Sequence, residues 1–116
     1  MLGESLVAAE KGGLEPARFL EIITGTLFDA PIFKRYGQLV VDTAFEPAGF
    51  HLHLGLKDMR LALEATEELK TPLPLASLVR ERMLAAMALG RDHFDWSGFT
   101  SVIREASGLP PVRAAR

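Results

Sequence analysis

The stretch FHLHLGLKDMRLALEATEELK, from Phe50 to Lys70, decides the fold. It contains no proline and one glycine, Gly55, and its apolar residues recur at the spacing of an α-helix. Its main stripe has intervals of four, three and four residues and consists of Leu52, Leu56, Met59 and Leu63. Leu54, Leu61 and Ala65 widen this stripe, which predicts apolar neighbours on more than one side. We therefore expect a central helix with the other helices packed around it.

Further helices are predicted on both sides of this stretch. Proline suits the first turn of a helix and glycine its end, so these residues mark the expected boundaries. The expected helices are residues 5–11, one from Pro16 with Leu27 on its apolar face, one from Pro31, the central helix, one from Pro74, and one capped by Asp95 or Ser97. The pair Val40-Val41 alone would suit a strand, but nothing in the sequence pairs with it. The sequence thus predicts one all-α domain of six helices over residues 1–116, with a mobile tail.

Composition excludes several classes of protein. The chain has 116 residues, 48% of them hydrophobic and 24% charged, which is typical of a soluble domain with its own core. No apolar run approaches the roughly 20 residues that cross a bilayer, and the chain start does not resemble a secretion signal. The formal charge of −2 argues against nucleic acid as a partner and against a small DNA-binding domain. The absence of cysteine excludes disulfides and thiolate sites and fits a cytoplasmic protein.

Two adjacent charges, Lys57 and Asp58, interrupt the central stretch where it should be most buried. A charge pair on a helix is usually a solvated face that contributes little to stability. The alternative is a pair that faces a cleft, where the lysine binds an anionic ligand and the carboxylate orients it or holds a substrate hydroxyl. The residue spacing leaves both interpretations open.

Other patterns exclude familiar kinds of site. His51 and His53 look like metal ligands, but residues two apart on a helix point about 200° apart, so we expect no metal site. The sequence contains no Gly-x-Gly-x-x-Gly motif, no P-loop and no Gly-x-Ser-x-Gly elbow. Phe94 and Trp96 are expected to be core anchors. They are not expected to be a stacking platform, because the acidic charge balance gives no basic groove beside them.

Several segments together resemble the C-terminal helical domain of the 3-hydroxyisobutyrate dehydrogenase family, the β-hydroxyacid dehydrogenases. The matching segments cover nearly the whole chain, and the most specific is KDMRLAL, residues 57–63. The others are ESLVAAEKGGLEP at 4–16, FEPAGF at 45–50, PLPL at 72–75 and DWSGF at 95–99. The resemblance implies a fold like the C-terminal domain of 6-phosphogluconate dehydrogenase. Lys70 departs from the family pattern, which often has glycine at that position, so we expect strain there.

The resemblance also implies a function. In that family the helical domain faces a Rossmann domain across a cleft in which NAD or NADP oxidises a small 3-hydroxyacid. By resemblance Lys57 contacts the cofactor, while Phe50 and Asp58 line the substrate pocket. The general-acid lysine of the family belongs to a passage not found here, so no catalytic residue is assigned to this chain, and the chain alone is expected to be inactive.

The Rossmann domain of the family is also absent from the sequence. The first helix resembles only the end of the family's long interdomain helix, so the chain is expected to be a detached domain. We expect it to form a homo-oligomer through exposed Leu2, Leu6 and Ala9 and to partner a Rossmann domain. The alternative is a stand-alone helical oligomerisation or binding module without catalysis.

Overall fold

The computed structural model describes residues 1–112 and shows an all-α chain. Over these residues it forms six α-helices: α1 Leu2–Lys11, α2 Pro16–Thr24, α3 Pro31–Val41, α4 Leu52–Glu68, α5 Pro74–Ala88 and α6 Thr100–Ala106. A short 3-10 helix, Trp96–Phe99, leads directly into α6. The predicted all-α fold is confirmed, whereas the predicted mobile tail at 113–116 lies outside the described residues. Among the described helices, none combines the length and apolar character that crossing a membrane requires.

The helix ends follow from local chemistry. Proline occupies the first turn of α2, α3 and α5. Glu15 caps α2 effectively, because its carboxylate accepts hydrogen bonds from the backbone N–H groups of Ala17 at 3.1 Å and Arg18 at 2.9 Å. Gly13 follows α1 with a φ of 83°, which costs glycine little. Lys70 follows α4 with a φ of 54°, so the expected strain at this non-glycine residue is confirmed.

Two boundaries differ from the sequence prediction. Helix α1 begins at Leu2, three residues earlier than expected. Helix α2 ends at Thr24, and Leu27 lies in the following turn with 92% of its surface exposed. The prediction of Leu27 as part of the apolar face of α2 is therefore wrong, because the helix does not continue far enough to bury it.

Helix α4 is not the centre of the fold. It packs against α5 and the 3-10 helix, whereas α1 contacts α2, α3 and α6. Leu61 is 54% exposed, and Ala65 is also exposed. The prediction of apolar neighbours on more than one side of α4 is therefore wrong for its second half, where α5 covers one side alone.

Among the described residues, two groups of buried side chains lie near the start of α4. Between α4 and α5, four residues are almost completely buried: Leu52, Leu56, Met83 and Ala86. Under the loop before α4, the rings of Phe45 and Phe94 stack with their centroids 5.7 Å apart, and both are buried. Phe94 is thus a core anchor, as predicted. The buried aromatic pair supports the loop that carries Phe50, which matters for the site described next.

Candidate functional site

A concavity of about 330 Å³ lies beside α4. Its lining comes from the loop before α4, from α4 and α5, and from the 3-10 helix: Phe50, Gly55, Asp58, Met59, Ala62, Met83 and Trp96. Two residues assigned from the sequence, Phe50 and Asp58, therefore meet at the same concavity. The lining is apolar except for the carboxylate of Asp58.

Helix α4 presents three of these residues through its periodicity. Gly55, Asp58 and Ala62 are spaced by three and four residues, so they share one side of the helix. A Cβ atom on Gly55 would lie 3.2 Å from Cβ of Trp96 and 3.7 Å from Cε1 of Phe50. Glycine inside a helix costs about 1 kcal/mol relative to alanine. At this position the missing side chain lets the 3-10 helix approach α4 closely.

Lys57 and Asp58 both extend into solvent. Both residues are exposed, and within residues 1–112 no hydrogen bond or ion pair engages either side chain. Lys57 is not part of the concavity lining, because it lies two residues from Gly55 and therefore points about 200° away from it around the helix axis. Arg60 lies three residues after Lys57, on the same side of α4, and is exposed as well. The helix thus presents a carboxylate to the concavity and two cations on another side.

The two aromatic walls of the concavity come from segments far apart in the sequence. The backbone N–H of Trp96 donates to the carbonyl oxygen of Phe50 at 2.7 Å, and that of Leu52 donates to the carbonyl oxygen of Phe94 at 2.8 Å. Asp95, which lies between Phe94 and Trp96 in the sequence, is 2% exposed. Its carboxylate accepts hydrogen bonds from the loop before α4 and from the 3-10 helix. These bonds hold the loop before α4 against the turn that begins the 3-10 helix.

Trp96 packs against the buried cluster between α4 and α5, in line with the prediction of a core anchor, and it is also a wall of the concavity. It is half-buried, and its ring meets the ring of Tyr36 edge-on with centroids 5.2 Å apart. Trp96 lies beside Phe50 because the 3-10 helix contacts the loop before α4. This contact joins segments far apart in the sequence, so the helical periodicity of α4 could not predict it. The segment DWSGF, noted above for its resemblance to a family motif, was the one available signal.

His51 and His53, at the start of α4, are not part of the concavity lining. The rings of His51 and His53 stack with centroids 5.4 Å apart, because His51 precedes α4 in an extended conformation. The argument that these rings must point apart is therefore wrong. Each Nδ1 atom contacts a backbone carbonyl oxygen, His51 that of His93 and His53 that of Asp92. Among the described residues, no group of three or more His, Asp or Glu side chains is placed to hold a metal ion.

Comparison with known proteins identifies the family. The sequence profile described as "NAD-binding of NADP-dependent 3-hydroxyisobutyrate dehydrogenase" matches residues 1–104. The chain belongs to this family.

Individual relatives of the family agree with this assignment. The chain is 40% identical over 103 residues to the uncharacterized oxidoreductase YfjR of Bacillus subtilis, covering 89% of this chain and 36% of the relative. It is 33% identical over 101 residues to glyoxylate/succinic semialdehyde reductase 1 of Arabidopsis thaliana, covering 87% of this chain and 35% of the relative. The chain therefore spans about a third of the length of these relatives.

A solved structure shows the same fold. A 3-hydroxyisobutyrate dehydrogenase from Salmonella typhimurium superposes with a TM-score of 0.79, covering 87% of this chain and 35% of that chain. The sequence identity is 23%, so this likeness concerns the fold. The described residues thus share the fold of the matching part of that structure.

Proposed function

We propose that this chain forms one wall of the cofactor and substrate cleft of an NAD(P)-dependent dehydrogenase that acts on a small 3-hydroxyacid. The observation that carries the proposal is that Phe50 and Asp58 line one concavity, while Lys57, the residue before Asp58, is exposed on another side of the helix. An apolar concavity with one carboxylate suits a short carbon chain that bears a hydroxyl group.

The cationic side of α4 fits the cofactor. NAD and NADP are anionic, and Lys57 with Arg60 gives two exposed cations on one side of the helix. Within residues 1–112 no ion pair competes for Lys57. The cofactor would supply a nicotinamide ring as the acceptor of a hydride from the hydroxyl-bearing carbon of the substrate. The role of Lys57 is to hold an anionic group of the cofactor.

Asp58 and the aromatic walls would act on the substrate. The Asp58 carboxylate accepts a hydrogen bond from the substrate hydroxyl and repels the substrate carboxylate, which gives the acid one orientation. Phe50 and Trp96 cover the apolar part of the substrate and exclude water from it. We assign no catalytic residue to this chain. The general acid that handles the proton would come from the remainder of the enzyme.

The proposed partners of the chain are a dinucleotide-binding Rossmann domain and further copies of the same protein. The relatives are about three times as long as the matched segment, which leaves room for such a domain. Several apolar side chains remain uncovered, including Leu61 and Leu75, which are 54% and 72% exposed. The lack of cysteine suits a reducing compartment, so we place the activity in the cytoplasm.

A nuclear magnetic resonance titration of the ¹⁵N-labelled chain tests this proposal. NADP at millimolar concentration is expected to shift the amide signals of Lys57 and Arg60. Millimolar 3-hydroxyisobutyrate is expected to shift those of Phe50 and Asp58. The variant Lys11→Ala is the control and should show the same shifts as the unaltered chain. Lys11 is exposed at the end of α1, away from this side of α4.

The absence of these shifts would contradict the proposal. If neither ligand shifts any amide signal of residues 50–62 above the change seen with sodium chloride, the chain is not a cleft wall. The alternative of a stand-alone helical oligomerisation or binding module would then be preferred.

A further inference from the structure

The carboxylate of Asp95 is the point at which two distant segments meet. Its Oδ2 atom accepts hydrogen bonds from the backbone N–H groups of Gly49 at 3.1 Å and Phe50 at 3.2 Å. Its Oδ1 atom accepts from the backbone N–H of Ser97 at 3.0 Å and from the Ser97 hydroxyl at 2.6 Å. The residue is 2% exposed, so these four donors replace the water that a carboxylate would otherwise bind.

Each of the two segments supplies one aromatic wall of the concavity. Phe50 follows Gly49 in the loop before α4, and Trp96 lies between Asp95 and Ser97. Asp95 itself is not part of the lining. Any effect of Asp95 on a bound molecule therefore passes through the positions of Phe50 and Trp96.

We propose that Asp95 is the positioning residue of the substrate pocket: its buried carboxylate fixes the separation of Phe50 and Trp96 and so sets the shape of the pocket above Asp58. This inference rests on the proposed function for its biological meaning, since the pocket is the one assigned to the hydroxyacid. The positional part of the inference is independent of any ligand.

The chemistry at this point requires a carboxylate. All four groups that face Asp95 are donors, and an ionised carboxylate is the side chain that only accepts. An asparagine of nearly the same shape offers one accepting oxygen and one NH₂ group. That NH₂ group would face either the N–H groups of Gly49 and Phe50 or the two donors of Ser97, and the pair that it faces would lose its acceptor. The substitution also removes the negative charge, and hydrogen bonds to a charged acceptor are stronger than those to a neutral one.

The chain contains its own reporter for the test, because Trp96 is its single tryptophan. Quenching of tryptophan fluorescence by acrylamide measures how far the Trp96 ring is exposed. We expect Asp95→Asn to keep its helical circular dichroism while the quenching constant at least doubles. The amide signals of Gly49 and Phe50, or that of Ser97, should also move, because one of these two sets of donors loses its acceptor.

Three further variants complete the design. Asp92→Asn removes an exposed carboxylate of the same turn and should leave the quenching constant unchanged. Leu20→Ala, in α2, lowers stability away from the concavity and should also leave it unchanged, which separates positioning from general destabilisation. If Asp95→Asn does not fold, Ser97→Ala removes one of the four donors, keeps the charge, and is expected to show a smaller increase.

The inference is overturned if Asp95→Asn folds with the quenching constant and the Phe50 amide signal of the wild type. It is overturned as well if Asp95→Asn does not fold and Ser97→Ala leaves both unchanged, or if Leu20→Ala raises quenching as much as the Asp95 variant. Failure of the proposed function has a different signature. In that case Asp95→Asn exposes Trp96 as expected, but 3-hydroxyisobutyrate shifts no signal of the wild-type chain.

Discussion

The backbone N–H of Trp96 donates a hydrogen bond to the carbonyl oxygen of Phe50 at 2.7 Å, which joins the two aromatic walls of the concavity. The loop before α4 and the 3-10 helix are therefore linked through the main chain as well as through Asp95. Because both links lie beside α4, the shape of the concavity depends on the pairing of these two segments. Helix α4 completes these surroundings, with Asp58 lining the concavity and Lys57 exposed on another side of the helix.

Lys57→Ala is expected to change the stability of the chain very little. Lys57 is exposed and has no ion pair within the described residues, and truncating such a side chain usually changes the free energy of unfolding by no more than about 0.5 kcal/mol. Thermal or urea unfolding of the chain with and without the substitution checks this. In a complete enzyme the same change should weaken cofactor binding by roughly 1.5–3 kcal/mol, the scale of a lost hydrogen bond to a charged group. A loss of several kcal/mol in the chain alone would make Lys57 a structural residue.

Ala62→Leu and Ala65→Leu form a matched pair on α4. Both alanines are exposed, but Ala62 lines the concavity and Ala65 does not. We expect neither substitution to alter stability by more than about 0.5 kcal/mol, because alanine and leucine have similar helix propensities. Ala62→Leu should weaken binding of 3-hydroxyisobutyrate by about 1–3 kcal/mol, the cost of added bulk in filled space. Equal binding by the two variants, measured by titration, would place the ligand elsewhere.

The purified chain is expected to catalyse no dehydrogenation by itself. Residues 1–112 contain no parallel sheet, and the crevice of such a sheet is where Rossmann proteins bind a dinucleotide. The assay is absorbance of reduced cofactor during incubation with 3-hydroxyisobutyrate and NAD or NADP. Cofactor reduction above a buffer blank that disappears when the protein is heated would refute the expectation.

Self-association is expected, but not through the residues suggested by the sequence. Leu6 is 2% exposed, so it is part of the core and offers no contact surface, while Leu2 and Ala9 are half-buried. The apolar side chains that remain uncovered include Leu27 at 92% exposed and Leu75 at 72%. Exposed apolar patches beyond a few hundred Å² tend to acquire partners. Sedimentation equilibrium should show a dimer or larger species, and a monomer at millimolar concentration would contradict this prediction.

The helices could be predicted because the features that determine them lie within short stretches of the sequence. The period of α4 and the prolines that open three helices are visible in short stretches of sequence. The strain at Lys70 was expected from the resemblance instead, because the family often has glycine at that position. The exposure of Leu61 was not predictable in this way, because an amphipathic pattern shows which residues share a face and not which face finds a neighbour.

The candidate site was predicted in part. Phe50, Lys57 and Asp58 lie on one stretch and were assigned by resemblance, whereas Trp96 and Asp95 reach the site through tertiary hydrogen bonds. No periodic pattern links residue 50 to residue 96. The histidine argument failed for a related reason, since it assumed helical geometry for His51, which lies just before α4.

A crosswise titration tests the central claim, that α4 separates a cofactor side from a substrate side. NADP and 3-hydroxyisobutyrate are each titrated into Lys57→Ala and Asp58→Asn, with amide signals of residues 50–62 as the readout. We predict that Lys57→Ala loses the response to NADP and keeps the response to the hydroxyacid, and that Asp58→Asn does the reverse. Responses to both ligands that survive unchanged in both variants would contradict the account.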